Sequence, residues 1–220
     1  MNNYLSTLKK SSLFSGLTET EIGQVLGCLS ARQGLYEKGE TIFRAGVPIS
    51  ELGMVLSGKV HLEREDFWGN RDLLSVAETG QIFGGVYACT RRHPLGVRAV
   101  AAEKTELLFL NVQRAATSCA SACRFHTKLI QNLLQVLAEK TYLLERKLEH
   151  IAKRTTQDKL LSYLSEQAEL AGGRSFTIPL NRQELADYLS LNRSAMSGEL
   201  CKMRDAGILS FQKNQFTLLD

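Results

Sequence analysis

Arg193, Ser194, Ser197 and Gly198 occupy the first two turns of a segment whose spacing predicts a helix. An arginine fork there can bond the edge of a guanine or clamp a phosphate, and the serine hydroxyls can do either more weakly. Asn192, Arg182, Lys202 and Lys213 complete a polar set around that helix. Such side chains recognise; they do not make or break bonds. The chain contains no G-x-S-x-G, HExxH or P-loop pattern, and an enzyme is not expected.

The elements that must position these residues are legible nearby. Asn181 and Glu184 have the spacing of a capping box. Leu185, Ala186 and Leu189 then share one face of a short helix. Residues 190–192 (Ser-Leu-Asn) break it, and Asn192 is suited to cap the next helix. In that helix Met196, Leu200 and Met203 recur at i, i+4 and i+7, which turns the polar set outward. Gly207 suits the C′ position. Two short β-runs follow, flanking the two-residue turn Lys213-Asn214. Helix, turn, helix and hairpin make a winged helix, which places its second helix in the major groove of double-stranded DNA. A helical hairpin that only packs is the weaker reading, because the outward positions carry Arg and Ser.

Upstream, residues 124–153 contain neither Gly nor Pro. Ile130, Leu137, Leu144 and Ile151 fall on heptad d positions, and Leu134, Thr141 and Leu148 on a positions. A narrow seam of this kind predicts a coiled-coil dimer, with Lys140 at g near Glu145 at e of a partner. Thr155-Thr156 should cap a further helix over 158–170, with Leu160, Leu161, Leu164 and Ala168 as its apolar stripe and Gly172-Gly173 as its end. A hinge is expected near 151–155. The first 118 residues differ in kind. Glycines recur between short apolar runs such as 54–56, 60–62, 73–76 and 107–110, with a helix expected over 19–29 and a hairpin tip at Trp68-Gly69-Asn70. That pattern predicts an antiparallel sandwich or jelly roll. The expected architecture is therefore α+β: a β-roll sensor over 1–118, a dimerisation helix over 119–152 and a winged helix over 153–220.

Composition agrees with a globular protein. Of 220 residues, 44% are hydrophobic and the net charge is +4. From Ile151 onward there are nine basic and eight acidic residues, so attraction to DNA must come from local placement of charge. No apolar stretch approaches a membrane span, and no signal peptide is visible, so a cytoplasmic protein is expected. Five cysteines without a disulfide-like spacing suit reduced thiols.

The order of β-roll, long helix and winged helix resembles the Crp/Fnr family of bacterial transcription regulators over essentially the whole chain. The most specific segments are 37–46 (Glu-Lys-Gly-Glu-Thr-Ile-Phe-Arg-Ala-Gly), 53–60 (Gly-Met-Val-Leu-Ser-Gly-Lys-Val), 80–84 (Gly-Gln-Ile-Phe-Gly) and the helix–turn–helix. The resemblance implies a homodimer on an inverted-repeat operator, RNA polymerase as a possible partner, and a small-molecule or redox signal in the β-roll that reorients the reading heads. It places the effector pocket at Phe83, Gly84, Gly85, Arg91, Arg92, His93 and Arg98, with a wall from residues 81–99 and the facing part of the dimer helix. Half-sites about one turn, roughly 34 Å, apart are expected.

Departures from the family narrow the signal. Cyclic-nucleotide-binding members carry a ribose-binding Glu where this chain has Gly85, and a phosphate-binding Arg-Ser pair where it has His93-Pro94. Proline has no N–H or hydroxyl, and neutral His cannot replace a bidentate Arg, so cyclic AMP is not expected. A loop shift bringing Arg91 or Arg92 to a phosphate is the alternative. No cysteine precedes Cys28, which removes the N-terminal iron–sulfur cluster of the oxygen-sensing branch. Haem needs an axial ligand, and His93, the one histidine in the effector region, reads more readily as a surface or hydrogen-bonded residue, so haem is not expected. Cys119, Cys123 and His126 stand at i, i+4 and i+7 and would share a helical face able to hold a metal or a redox pair, or simply pack. Cys89 adds a thiol to the effector region. Arg91, Arg92 and Arg98 could attract an anionic effector such as a carboxylate or phenolate; the alternative is that Arg98 is structural and the other two are solvated. A cupin-like metalloenzyme on a similar jelly roll is disfavoured, because only His61 and His93 lie in the β-rich part.

Overall fold

The structure is a computed structural model that describes residues 4–65, 68, 71–90, 93–117 and 124–219. It divides into two compact units, Met1–Ala138 and Glu139–Asp220, which meet inside one continuous helix, α5 (Arg124–Ile151).

The first unit opens with α1 (Leu5–Lys10), a 3-10 turn (Ser12–Phe14) and α2 (Glu19–Cys28). Thr18 and Glu21 form a capping box at the start of α2. Eight strands follow: β1 (Arg32–Tyr36), β2 (Thr41–Phe43), β3 (Glu51–Ser57), β4 (Lys59–Glu65), β5 (Arg71–Glu78), β6 (Ile82–Phe83), β7 (Arg98–Ala101) and β8 (Thr105–Asn111). Between them lies α3 (Gly85–Thr90), and α4 (Val112–Thr117) follows β8. The strands form two antiparallel sheets, ordered β1-β8-β3-β6 and β2-β7-β4-β5.

The two central strands of the first sheet, β8 and β3, are buried on both faces. Leu52, Met54 and Leu56 of β3, with Leu108 and Leu110 of β8, join the helical cap and the N-terminal half of α5. Val55, Leu107 and Phe109 point the other way, into the roll interior with Val60 and Ala99 of the second sheet. Burial on both faces explains why 107–110 reads as an unbroken apolar run rather than an alternating one. Arg98 stands directly opposite Glu63 in the β4–β7 ladder. Glu65 pairs with Arg71 at the end of the β4–β5 ladder. Of the expected hairpin tip between them only Trp68 is described, in a turn and exposed.

The second unit contains the C-terminal turns of α5, then α6 (Thr156–Ala171), β9 (Ser175–Thr177), α7 (Arg182–Tyr188), α8 (Arg193–Asp205), β10 (Leu209–Gln212) and β11 (Gln215–Leu218). Thr155 Oγ1 accepts from Asp158 N at 3.0 Å, and Gly172 ends α6. One core holds Leu160, Tyr163 and Leu164 of α6, Leu185 and Ala186 of α7, Met196, Leu200 and Met203 of α8, and Phe216 of β11. The hairpin gains a third strand not anticipated from sequence, because β9 pairs with β11. The short elements α1, α3, α4, β1 and β6 are likewise additions to the sequence reading.

Candidate nucleic-acid interface

Two asparagines set the geometry of the reading helix. Asn181 Oδ1 accepts from Gln183 N and Glu184 N at 2.9 and 3.0 Å, and Glu184 Oε2 accepts from Asn181 N at 2.7 Å. This closed capping box starts α7. Ser190 then takes a left-handed conformation, φ +53°, and turns the chain sharply. Asn192 Oδ1 accepts from Ser194 N and Ala195 N at 2.9 and 3.1 Å and starts α8. Leu189, Met196, Leu200 and Met203 are fully buried, so the opposite face of α8 is the one left to solvent. At its end Gly207, φ +72°, permits a Schellman closure, in which Ile208 N bonds Met203 O and Gly207 N bonds Arg204 O.

On that outward face Arg193, Ser194 and Gly198 are exposed and Ser197 is half-buried. Arg193 makes no ion pair among the described residues. The Asn192 side-chain oxygen is committed to the cap. Lys202 is exposed and pairs loosely with Glu199 at 3.3 Å. Lys213 sits at the tip of the wing with φ +52°. Arg182 differs from expectation. Its guanidinium lies 5.0 and 4.9 Å over the rings of Phe211 and Phe216 and donates Nη2–H to the Lys213 carbonyl at 2.8 Å. Desolvation lowers its pKa from the ordinary arginine value. Arg182 is thus a strut between α7 and the wing, and of the cations expected from sequence Arg193, Lys202 and Lys213 face outward.

The expected effector face is also partly redrawn. Phe83 is sealed in the roll interior, its ring against Gly53 and 5.6 Å from the ring of Phe43. Gly84 has φ +72°, and a Cβ there would meet Ile49 Cδ1 at 2.9 Å. Gly85 is buried at the start of α3, where a Cβ would make ordinary contacts with Ile82 and Leu137. His93 is exposed; Arg91 and Arg92 lie outside the described residues. Arg98 does not offer an open charge. Its Nε and Nη2 both donate to Glu63 Oε2, at 3.0 and 2.7 Å, and Glu65 lies 3.7 Å away. This half-buried cross-strand pair braces the second sheet, so of the two readings of Arg98 the structural one holds and the anion-attracting one does not.

Of the thiol–imidazole set, Cys119 and Cys123 lie outside the described residues, while His126 is buried on α5. Among the described residues no three His, Cys, Asp or Glu are grouped to hold a metal ion. Cys89 is exposed as a residue, yet local desolvation pushes its thiol up, away from the reactive thiolate. Along α5 the seam is open to solvent: Leu134 is 68% exposed, Leu144 67%, Leu148 60% and Ile130 42%, and Thr141 is exposed. Leu137 and Ile151 are half-buried.

One cluster was not anticipated. His150, 1% exposed, donates Nε2–H to Glu166 Oε2 at 2.6 Å and faces Ser162 Oγ at 2.9 Å. Arg146 Nε donates to the other oxygen of Glu166 at 2.5 Å. Tyr163 and Tyr188 pack on the imidazole. This clasp fastens the last turns of α5 to α6. Its sequence signal is Arg146 and His150 at i and i+4, on a face away from the heptad seam.

Two family models match the chain: the cyclic nucleotide-binding domain over residues 34–121 and the Crp-like helix-turn-helix domain over residues 158–220. The chain belongs to the Crp/Fnr family. Crp/Fnr proteins similar to it include the cyclic AMP receptor protein of Thermus thermophilus, 27% identical over 202 residues, 92% of this chain and 89% of that one. The global nitrogen regulator of a Synechocystis strain is 24% identical over 189 residues, 83% of this chain and 82% of that one. Among solved structures, the Thermus thermophilus catabolite activator protein superposes with a TM-score of 0.57 at 25% identity, over 94% of this chain and 93% of that one. As a Crp/Fnr member the chain is a DNA-binding transcription regulator with a cyclic nucleotide-binding-type β domain. Among its described residues no helix is long and apolar enough to cross a membrane.

Proposed function

We propose that the chain acts as a homodimer on an inverted-repeat operator, reading each half-site with the outward face of α8 and responding to a signal received in the β-roll. The observation that carries the dimer is the row of leucines on α5. A single chain leaves Leu134, Leu144 and Leu148 more than half exposed at heptad spacing, which a parallel partner helix would cover. The observation that carries the reading is Arg193, exposed in the first turn of an asparagine-capped helix whose opposite face is fully packed.

The signal in this reading is not a cyclic nucleotide, although the Thermus relative is named for cyclic AMP. The described part of the expected pocket offers no carboxylate at Gly85 and no donor from Pro94, and Arg98 is held by Glu63. A neutral or weakly polar effector fits that environment better than a phosphate does.

DNA binding tests the reading. Arg193→Ala should cost about 1–3 kcal/mol on the specific operator and less on random DNA. Equal loss on both would make Arg193 a phosphate contact and remove it from base reading. Sedimentation of the native protein should show a dimer at micromolar concentration, and a monomer there would take the seam out of this role.

A further inference from the structure

Between the helical cap and the turn that joins β5 to β6 the surface folds into a groove of about 340 Å³. Sites that take small molecules begin at about 300 Å³. The cap contributes Thr7 and Lys10 of α1, with Ser11 and Ser12 after it, and the turn contributes Thr79, Gly80 and Gln81. The lining therefore carries hydroxyls, one amide and one ammonium group, and no carboxylate. Most of these groups are unspent. Lys10 has no ion pair among the described residues, and there the hydroxyls of Thr7, Ser12 and Thr79 have no hydrogen-bond partner. The carboxylates nearest them in the chain are already taken: Glu19 holds Lys9 at 2.9 Å and Glu78 holds Lys59 at 3.0 Å. Gln81 is fixed in its sense, because its Oε1 accepts from Glu78 N at 3.1 Å and its Nε2 remains as a donor.

Ser11 supplies a second observation. It lines the groove yet is only 5% exposed, and its Oγ accepts from Leu13 N at 3.2 Å. A hydroxyl also donates, and this one has no acceptor among the described residues. Buried polar groups are normally partnered. An acceptor held in the groove completes the set. The cap side alone offers an ammonium and three hydroxyls, which a phosphate with its three terminal oxygens engages better than a two-oxygen carboxylate does. A water occupies roughly 30 Å³, so the groove has room for about ten waters, far more than a lone phosphate fills. The turn side adds the neutral hydroxyl of Thr79 and the amide of Gln81.

We propose that this groove binds a small phosphorylated polyol, with its phosphate on Lys10 and Ser11 and its hydroxyls on Thr79 and Gln81. The site is separate from the expected effector pocket: of its lining only Gln81 belongs to residues 81–99, and Phe83, two positions on, turns into the roll interior. The turn is tied to β3, where Gly80 N donates to Val55 O at 2.8 Å and Val55 N donates to Gln81 O at 3.0 Å. An occupant therefore clamps the helical cap to the connection that leads into the expected effector pocket. The site rests on neither the dimer nor the DNA reading.

The probes are glycerol 3-phosphate and inorganic phosphate, titrated into the full-length protein at physiological ionic strength and followed by calorimetry and amide NMR. Glycerol 3-phosphate should bind about fivefold more tightly than phosphate, and the perturbed amides should be those of residues 7–12 and 79–81. Lys10→Gln should weaken glycerol 3-phosphate at least tenfold, the value of one charge-assisted bond. Thr79→Val should weaken it about fivefold, the value of one neutral bond, and leave phosphate unchanged. Both side chains are exposed, so neither change disturbs a packed core. Lys9→Gln removes a cation that does not line the groove and should leave both affinities as they are. Equal losses from Lys9→Gln and Lys10→Gln would reduce the binding to general electrostatics and overturn the site, as would no binding at millimolar probe. Phosphate binding as tightly as glycerol 3-phosphate overturns the polyol. Perturbed amides on α8 instead would put the anion on the DNA-reading face and overturn the groove while leaving the DNA reading intact.

Discussion

The two units bury their apolar surface by opposite means. In the reading unit almost every device is local. Asn181, Asn192 and Gly207 each act within four residues, and the side chains they align close a single core around Leu164 and Leu200. In the sensor unit the partners are distant. Leu52 meets Leu110, Glu63 meets Arg98, and Asn132 reaches back to Leu13. The long-range plan leaves an apolar cavity under the first sheet and an imidazole, that of His126, with no partner among the described residues, while the reading unit leaves one such atom, Nη1 of Arg182.

The largest effect expected from this contrast concerns stability. Leu164→Ala empties a fully buried position in the reading unit and should cost about 2–5 kcal/mol. If the units differ as described, calorimetry should show the reading unit melting earlier while the sensor transition stays in place. A single shared transition moving as one would break the comparison.

Asn192→Ala sharpens it on a smaller scale. The substitution removes the acceptor for two backbone N–H groups of α8 and should cost about 0.5–2 kcal/mol. The damage should stay within α8, visible as faster hydrogen exchange over its first turn and weaker operator binding, with the sensor amides unchanged. Exchange accelerating through the sensor would show that the units are not separate in this sense.

The same contrast explains what could be read from the chain before its structure. The reading head was legible because its signals sit within a few residues of their effects: the spacing of Asn181 and Glu184, the break at 190–192, the i, i+4, i+7 row of Met196, Leu200 and Met203. The long helix was legible because residues 124–153 lack Gly and Pro and their apolar positions recur with a helical period. Arg98 was harder, since its identity gives no hint that Glu63, 35 positions earlier, will face it across a ladder. Arg182 was harder for a related reason: an arginine that stacks on Phe211 and Phe216 is indistinguishable in sequence from one that reaches for phosphate. The cavity could not be read at all, because leucines that line a void and leucines that fill one have the same pattern.

The smallest effect, and the one that tests the clasp, is a pH dependence. Desolvation of Glu166 pushes its pKa up, but the hydrogen bonds from Arg146 and His150 outweigh it and hold the carboxylate below the ordinary glutamate value. Tyr163 beside it is pushed up to about 12 by burial, so it stays neutral throughout the range that matters. A depressed folded-state pKa contributes stability that is complete above the unfolded value and is lost as the pH falls through the folded one. The loss should therefore begin near the ordinary glutamate pKa, about 4.3, and continue below it. Thermal melting of the reading unit followed downward from about pH 6 should steepen in that window. Glu166→Gln keeps a hydrogen-bonding side chain but cannot ionise, so it should start less stable at neutral pH and show a shallower acid limb. Parallel acid limbs in the two proteins would mean that the Arg146–Glu166–His150 contacts contribute nothing measurable, and that the last turns of α5 are held to the reading head by the Tyr163 and Tyr188 packing alone.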